Sequence, residues 1–188
     1  MAIKNVHDSW KKQGFTLLEI MVSIGIVAVV GVLISQVFFT TTRSNAKSEV
    51  LKNVKQNGDF SLERIYQLVR NATEVTSTCA EGGTSSSSIT LTNPDGESTS
   101  LGCLLDGTVT RIASVSASTT EYLTDSALTL GGADCNASSL TFVCTMPAGQ
   151  PATVAIIFSL AQKGTPPDQF DRASASFQTT AAIRNAKQ

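Results

Sequence analysis

Residues 11–39, KKQGFTLLEIMVSIGIVAVVGVLISQVFF, decide how the rest of the chain is read. Two lysines and a glycine precede 25 residues, Phe15 to Phe39, whose single charge is Glu19. At ~1.5 Å of rise per residue such a run makes a helix of roughly 38 Å, enough to cross the ~30 Å hydrocarbon core of a bilayer. The acid lies inside the apolar run rather than at its edge. A carboxylate at the centre of a membrane helix costs on the order of 2.5–3.5 kcal/mol, and less towards an end. A stretch that served only as an anchor would have no use for it. Glu19 is therefore expected to meet a cation and to be a functional residue.

Lys11 to Val22, KKQ-G-FTLLEIMV, resembles the N-terminus of type IV prepilins and of the pseudopilins of type II secretion. The match takes in the basic pair, the glycine, the aromatic residue after it, the acid and the apolar run. The resemblance implies that a membrane peptidase cuts between Gly14 and Phe15 and methylates the new N-terminus. Glu19 then lies five residues into the mature chain. The same resemblance implies four parts: a leader at 1–14, a membrane and filament-core helix at 15–39, an amphipathic half-helix at 40–75 and an extracytoplasmic β-rich domain at 76–188.

Outward from this stretch, the composition fits one modest domain beside a membrane segment. The 188 residues have a formal charge of −1. Loss of residues 1–14 removes Lys4, Lys11, Lys12 and Asp8, which leaves 11 basic and 14 acidic side chains and a charge of −3. That balance gives little support for nucleic acid as a partner, which would call for a basic excess on one face. His7 and Trp10 both lie in the leader, so the mature chain has neither residue type. The leader is not an ordinary secretory signal, whose cut follows the apolar region at a small-x-small site. Lysines and arginines flank the span on both sides, so charge counting does not settle orientation.

Gly25, Gly31 and Ser35 interrupt the apolar span at places where small residues let helices approach closely. Major pilins often have a kinking proline here, and none occurs between Met1 and Ala72. Beyond Phe39 the pattern turns amphipathic. Leu51, Val54, Gly58, Leu62, Ile65, Val69 and Ala72 follow at spacings of three and four, one face of a helix expected to reach about Thr73. Asn57-Gly58-Asp59 is the point at which it is expected to bend or restart. Lys52 to Asn71 is also similar to this segment of minor pilins.

From Thr76, Ser, Thr and Gly dominate and apolar residues alternate as half-buried strands require. Strands are expected around Ile89–Leu91, Leu101–Leu105, Val109–Val115, Tyr122–Leu130, Leu140–Met146, Val154–Leu160 and Ala173–Ile183. The turn Asn93-Pro94-Asp95-Gly96 joins the first two. Val154–Leu160 is expected to be central, and Ser85–Ser88 and Ser114–Thr120 to be loops. The predicted class is α+β: a long N-terminal helix whose second half packs on one C-terminal antiparallel sheet.

Cys79, Cys103, Cys135 and Cys144 all follow the span, at spacings of 24, 32 and 9 that match no zinc pattern. Their even number in a small domain points to disulfides in an oxidising compartment. Of the three possible pairings, sequential neighbours are favoured, Cys79–Cys103 and Cys135–Cys144. Without histidine a Ser-His-Asp or Cys-His arrangement is impossible in the mature chain. The acids of 76–188 lie in turns and form no calcium loop. No catalytic residue, metal or cofactor is expected.

The resemblance implies a structural subunit of a type IV pilus or pseudopilus, and most closely a minor pilin. It would wait in the cytoplasmic membrane as a single-pass protein and then join a surface pilus or periplasmic pseudopilus. Its partners would be membrane lipid, the prepilin peptidase, an inner-membrane assembly platform and other pilin subunits. The alternative is a competence or adhesion pilin whose β domain binds DNA or a surface ligand.

Overall fold

The structure is a computed structural model and describes residues 14–164 and 173–184. Its long helix, α1, runs Leu17–Asn71, 55 residues. The chain divides into two compact units, Met1–Arg43 and Ser44–Gln188, and α1 contributes to both.

In the first unit every described large apolar side chain from Phe15 to Phe39 is exposed, by 47% to 78%. The helix is long and apolar enough to cross a membrane, and among the described residues its most apolar stretch is wholly exposed. It starts where it does because Thr16 caps it: the Glu19 N–H donates to Thr16 Oγ1 at 3.2 Å. Near the end of the apolar run, Thr40, Thr41 and Thr42 each donate a hydroxyl to the carbonyl four residues back, at 2.8–3.0 Å. Each hydroxyl is thereby satisfied without leaving the helix.

In the second unit the helix turns one face inward. Val54, Gly58, Ser61, Ile65, Val69 and Ala72 are buried, at the expected three- and four-residue spacing. Asn57-Gly58-Asp59 does not break the helix. Gly58 instead lies beneath the Phe177 ring, whose Cζ, Cε1 and Cε2 occupy the space a Cβ would need. A glycine that looks like a weak point is therefore a close-packing point. Ser61 is the one polar side chain on this buried face, and its hydroxyl lies 2.6 Å from the Leu123 carbonyl. At the C-terminal end the chain switches to extended backbone, and the Thr73 N–H donates to the Thr92 carbonyl at 2.8 Å.

Ten strands follow among the described residues: β1 (Glu74–Val75), β2 (Thr84–Ser86), β3 (Ser88–Thr92), β4 (Ser98–Asp106), β5 (Val109–Ser116), β6 (Thr119–Tyr122), β7 (Leu128–Thr129), β8 (Thr141–Thr145), β9 (Thr153–Gln162) and β10 (Ser174–Ala182). They form two antiparallel sheets where the sequence suggests one. The first has the order β1-β3-β4-β5-β6, and the second β10-β9-β8-β2 with β7 paired to β9. The α+β class stands. Val54, Ile65 and Val69 of α1 share one core with Ile89, Leu91, Leu101 and Ile112 of the first sheet. Phe142, Val154, Ile156, Phe158, Leu160 and Phe177 of the second sheet belong to the same core.

β9 is central, as its apolar run suggests, with β10 on one side and β8 and β7 on the other. Ser139 closes the gap between β7 and β8. Its Oγ lies within hydrogen-bond distance of the Leu130 and Ser159 carbonyls and accepts the Ser159 N–H at 3.1 Å. Three local expectations need correction. The Ser85–Ser88 run holds the ends of β2 and β3, and Ser114–Thr120 holds a hairpin turning at Ala117, whose φ is 49°. Tyr122–Leu130 is not one strand, because Asp125 turns the chain by accepting the Ala127 N–H at 2.7 Å.

The cysteine pairing is also corrected. The disulfides are Cys79–Cys144 and Cys103–Cys135 rather than Cys79–Cys103 and Cys135–Cys144, and none of the four cysteines is free. Strand allocation is the reason. Cys79 leads into β2 of the second sheet, while Cys103 lies on β4 of the first. The β2–β8 register sets Thr84 opposite Cys144, and a bridge pairs Ala80 with Thr145, which brings Cys79 onto Cys144. Cys103 meets the short 3-10 turn Cys135–Ala137, capped by Asp134 Oδ1 accepting the Asn136 and Ala137 N–H groups. Gly132 makes that turn possible: its φ is 77° and the Ala137 carbonyl lies where a side chain would sit.

Candidate processing and assembly site

The site indicated by the sequence is the start of the first unit. Gly14, Phe15, Thr16 and Glu19 line one shallow hollow, so the expected scissile bond and the acid lie at the same end of α1. Phe15 is 78% exposed, and all four residues are open to solvent. The basic pair Lys11-Lys12 lies outside the described residues.

Gly14 has no internal reason to be a glycine. A Cβ built on it meets nothing within 4 Å, and its φ is not in the positive region. Gly25 and Gly31 are equally open. Glycine inside a helix costs about 1 kcal/mol relative to alanine, and no contact with a described residue offsets that at Gly25 or Gly31. No contact with a described residue requires glycine at these three places.

Glu19 occupies the third position of the first helical turn, where a negative charge interacts favourably with the unsatisfied N–H groups. With Thr16 it forms the Thr-x-x-Glu arrangement of a capping box, of which the Thr16 half is made. Thr16 is a residue the sequence reading missed, although Thr16-Leu17-Leu18-Glu19 was its visible signal. Its carbonyl also accepts the Ile20 N–H at 3.2 Å, and the Ser23 hydroxyl returns to the Glu19 carbonyl at 2.7 Å. The Glu19 carboxylate has no ion-pair partner among the described residues; their two ion pairs, Arg64–Glu121 and Arg111–Asp106, belong to the second unit.

Residues 11–35 match the model of the prokaryotic N-terminal methylation motif. The chain carries the type IV prepilin signature. No curated protein and no solved structure matches the chain. The prepilin motif covers Gly14, Phe15 and Glu19 and supports a type IV pilin-like, structural protein. It implies processing by a peptidase and assembly with other pilins. With the apolar helix that bears it, the motif fits a membrane-anchored pilin.

The described residues of the second unit offer no comparable chemistry. No group of three His, Cys, Asp or Glu side chains among the described residues is placed to hold a metal ion. Arg111 is fully engaged: it donates to Asp106 Oδ2 and to the Thr124 carbonyl, and its guanidinium lies 4.2 Å from the Tyr122 ring centre. Among the described residues of 76–184, Arg111 and the four cysteines are thus engaged in the fold, and the functional signal stays at the N-terminus of α1.

Proposed function

We propose that the chain is a pilin subunit, cut between Gly14 and Phe15 and assembled through its N-terminal helix, and that it is a minor pilin. One observation carries the reading. A prepilin motif leads directly into an apolar helical surface that is exposed throughout among the described residues. An uncovered surface of this length is stable in lipid or against other helices, and the two environments correspond to the subunit before and after assembly.

Cleavage would free the amine of Phe15 and place a cation at the end of the helix. Glu19 of a neighbouring subunit then pairs with that amine inside the filament. The pairing need not add stability, because desolvating both ions offsets much of their attraction. Its value is axial register, since an unpaired acid in an apolar environment is costly and one offset relieves it. The open Gly25 and Gly31 suit close helix approach in the same assembly. Mass spectrometry of the isolated native chain tests the proposal. A mature N-terminus at methylated Phe15 is expected. A chain that still begins at Met1, or is trimmed beyond Phe39, overturns it.

A further inference from the structure

Two segments of the chain have the Asn-x-Ser/Thr pattern that accepts an N-linked sugar, Asn71-Ala72-Thr73 and Asn136-Ala137-Ser138. In a chain this rich in Ser and Thr the pattern alone decides nothing, and the fold separates the two. Asn71 is the last residue of α1, and Ala72 beside it is buried in the core. The Thr73 N–H and hydroxyl both donate to the Thr92 carbonyl, at 2.8 and 3.1 Å. An acceptor segment must leave its own fold to enter an enzyme, and this one is held by helix, core and sheet in turn.

Asn136 has the opposite setting. It lies in the middle of the short 3-10 turn Cys135–Ala137, between β7 and β8, and the turn buries none of its residues. Asp134, Asn136 and Ala137 are all exposed. Asp134 Oδ1 accepts the Asn136 and Ala137 N–H groups at 2.9 and 3.1 Å, and the Ser138 hydroxyl donates to the Cys135 carbonyl at 2.9 Å. These bonds stay inside the turn and fix its backbone. They use nothing of the Asn136 carboxamide, which makes no hydrogen bond to a described residue.

A second observation marks the same place. Leu104 and Leu105 are 37% and 47% exposed, two adjacent leucines left uncovered on β4. They follow Cys103 directly, and the Cys103–Cys135 bridge, with Cα atoms 5.5 Å apart, ties them to the turn that bears Asn136. A bulky hydrophilic group on Asn136 therefore stands beside this apolar pair.

We propose that Asn136 is an N-glycosylation site, modified on the outer side of the membrane by transfer from a lipid-linked oligosaccharide. The carboxamide Nδ2 forms a bond to C1 of the first sugar and gives up one proton. The C1–O bond to the lipid pyrophosphate breaks, and the pyrophosphate leaves with the bonding pair. The compartment fits, because the same turn holds one half of a disulfide, and disulfides form where thiols are oxidised. The inference needs the second unit outside the cytoplasm, not its assembly into a filament.

Mass spectrometry of the full chain, isolated from the cells that make it, is the test. The peptide containing Asn136 should carry a carbohydrate adduct that releases sugar fragment ions, and the peptide containing Asn71 should be unmodified. Asn136→Gln and Ser138→Ala should each lose the adduct, whereas Ser138→Thr should keep it. Because the Asn136 side chain is exposed and unbonded, Asn136→Gln should still fold, and recovery of Cys103 linked to Cys135 in that variant checks this. An unmodified Asn136 in the wild-type chain, sugar confined to Asn71 or to hydroxyl side chains, or an adduct that survives Ser138→Ala overturns the proposal. The N-terminal peptide in the same spectra reports the cut between Gly14 and Phe15 separately, so the two readings fail independently.

Discussion

Gly58→Ala separates helix propensity from packing. On an isolated helix this change is favourable by about 1 kcal/mol. Here the new methyl would enter space held by the far edge of the Phe177 ring. That ring has little freedom to retreat: Phe177 is 8% exposed and stacks on Phe158 with 5.2 Å between ring centres. Phe158 is itself completely buried. Overpacking of this kind costs about 1–3 kcal/mol, and the clash of a backbone-anchored Cβ with a confined ring falls in the upper half of that range. Net destabilisation is therefore on the order of 1–2 kcal/mol, or about 3–8 °C in Tm for a domain of this size. Thermal unfolding of the micelle-bound chain, followed by circular dichroism with the disulfides intact, measures it. The companion change Phe177→Leu removes the ring edge and should relieve the clash. The double variant should then be more stable than the sum of the single effects implies, by about 1 kcal/mol or more. A neutral or stabilised Gly58→Ala, or strict additivity with Phe177→Leu, would refute the reasoning.

Glu19→Ala should leave membrane insertion intact and impair filament incorporation, read by comparing the subunit in membranes and in sheared filaments; normal incorporation would remove the register role. Gly14→Val should block processing, so mature protein beginning at Phe15 in that variant would contradict the proposed cut. Peptide mapping without reduction should recover Cys79 linked to Cys144 and Cys103 linked to Cys135. Each bridge closes a loop long enough, at separations of 65 and 32, to contribute about 4 kcal/mol through the unfolded chain. Ser61→Val should destabilise by about 1–3 kcal/mol, because it leaves the Leu123 carbonyl buried without its donor; an unchanged unfolding midpoint would count against that hydrogen bond.

The parts of this protein that were legible in its sequence are those fixed by neighbours in the chain. The apolar run after Gly14 announces a helix without reference to anything distant, and the three-and-four spacing from Val54 to Ala72 marks the buried face. The alternation in Val154–Leu160 shows its strand because one face is buried completely. The strands that escaped notice lack this contrast. Thr119–Tyr122 is exposed at all four positions, and Thr84–Ser86 buries none, so no apolar alternation exists to be read. The division into two sheets and the disulfide pairing depend on strand registers between distant segments, which spacing along the chain does not encode. At the candidate site, Gly14, Phe15 and Glu19 form a local pattern. Thr16 was overlooked because its role is to start the helix rather than to do chemistry.

The two disulfides are nested, since Cys103–Cys135 lies wholly within the loop closed by Cys79–Cys144. The shortest covalent route from α1 to β10 therefore passes through the outer bridge and omits β2 to β7 altogether. A pull applied between the helix and the final strand would be borne by that sulfur link and by the β8–β9–β10 pairing. The first sheet from β3 onward would hang from the strained path as a side branch, free of load. An oxidised subunit could thus be tugged by its ends and extend only by the few segments outside the bridge, while a reduced one would pay out its full length.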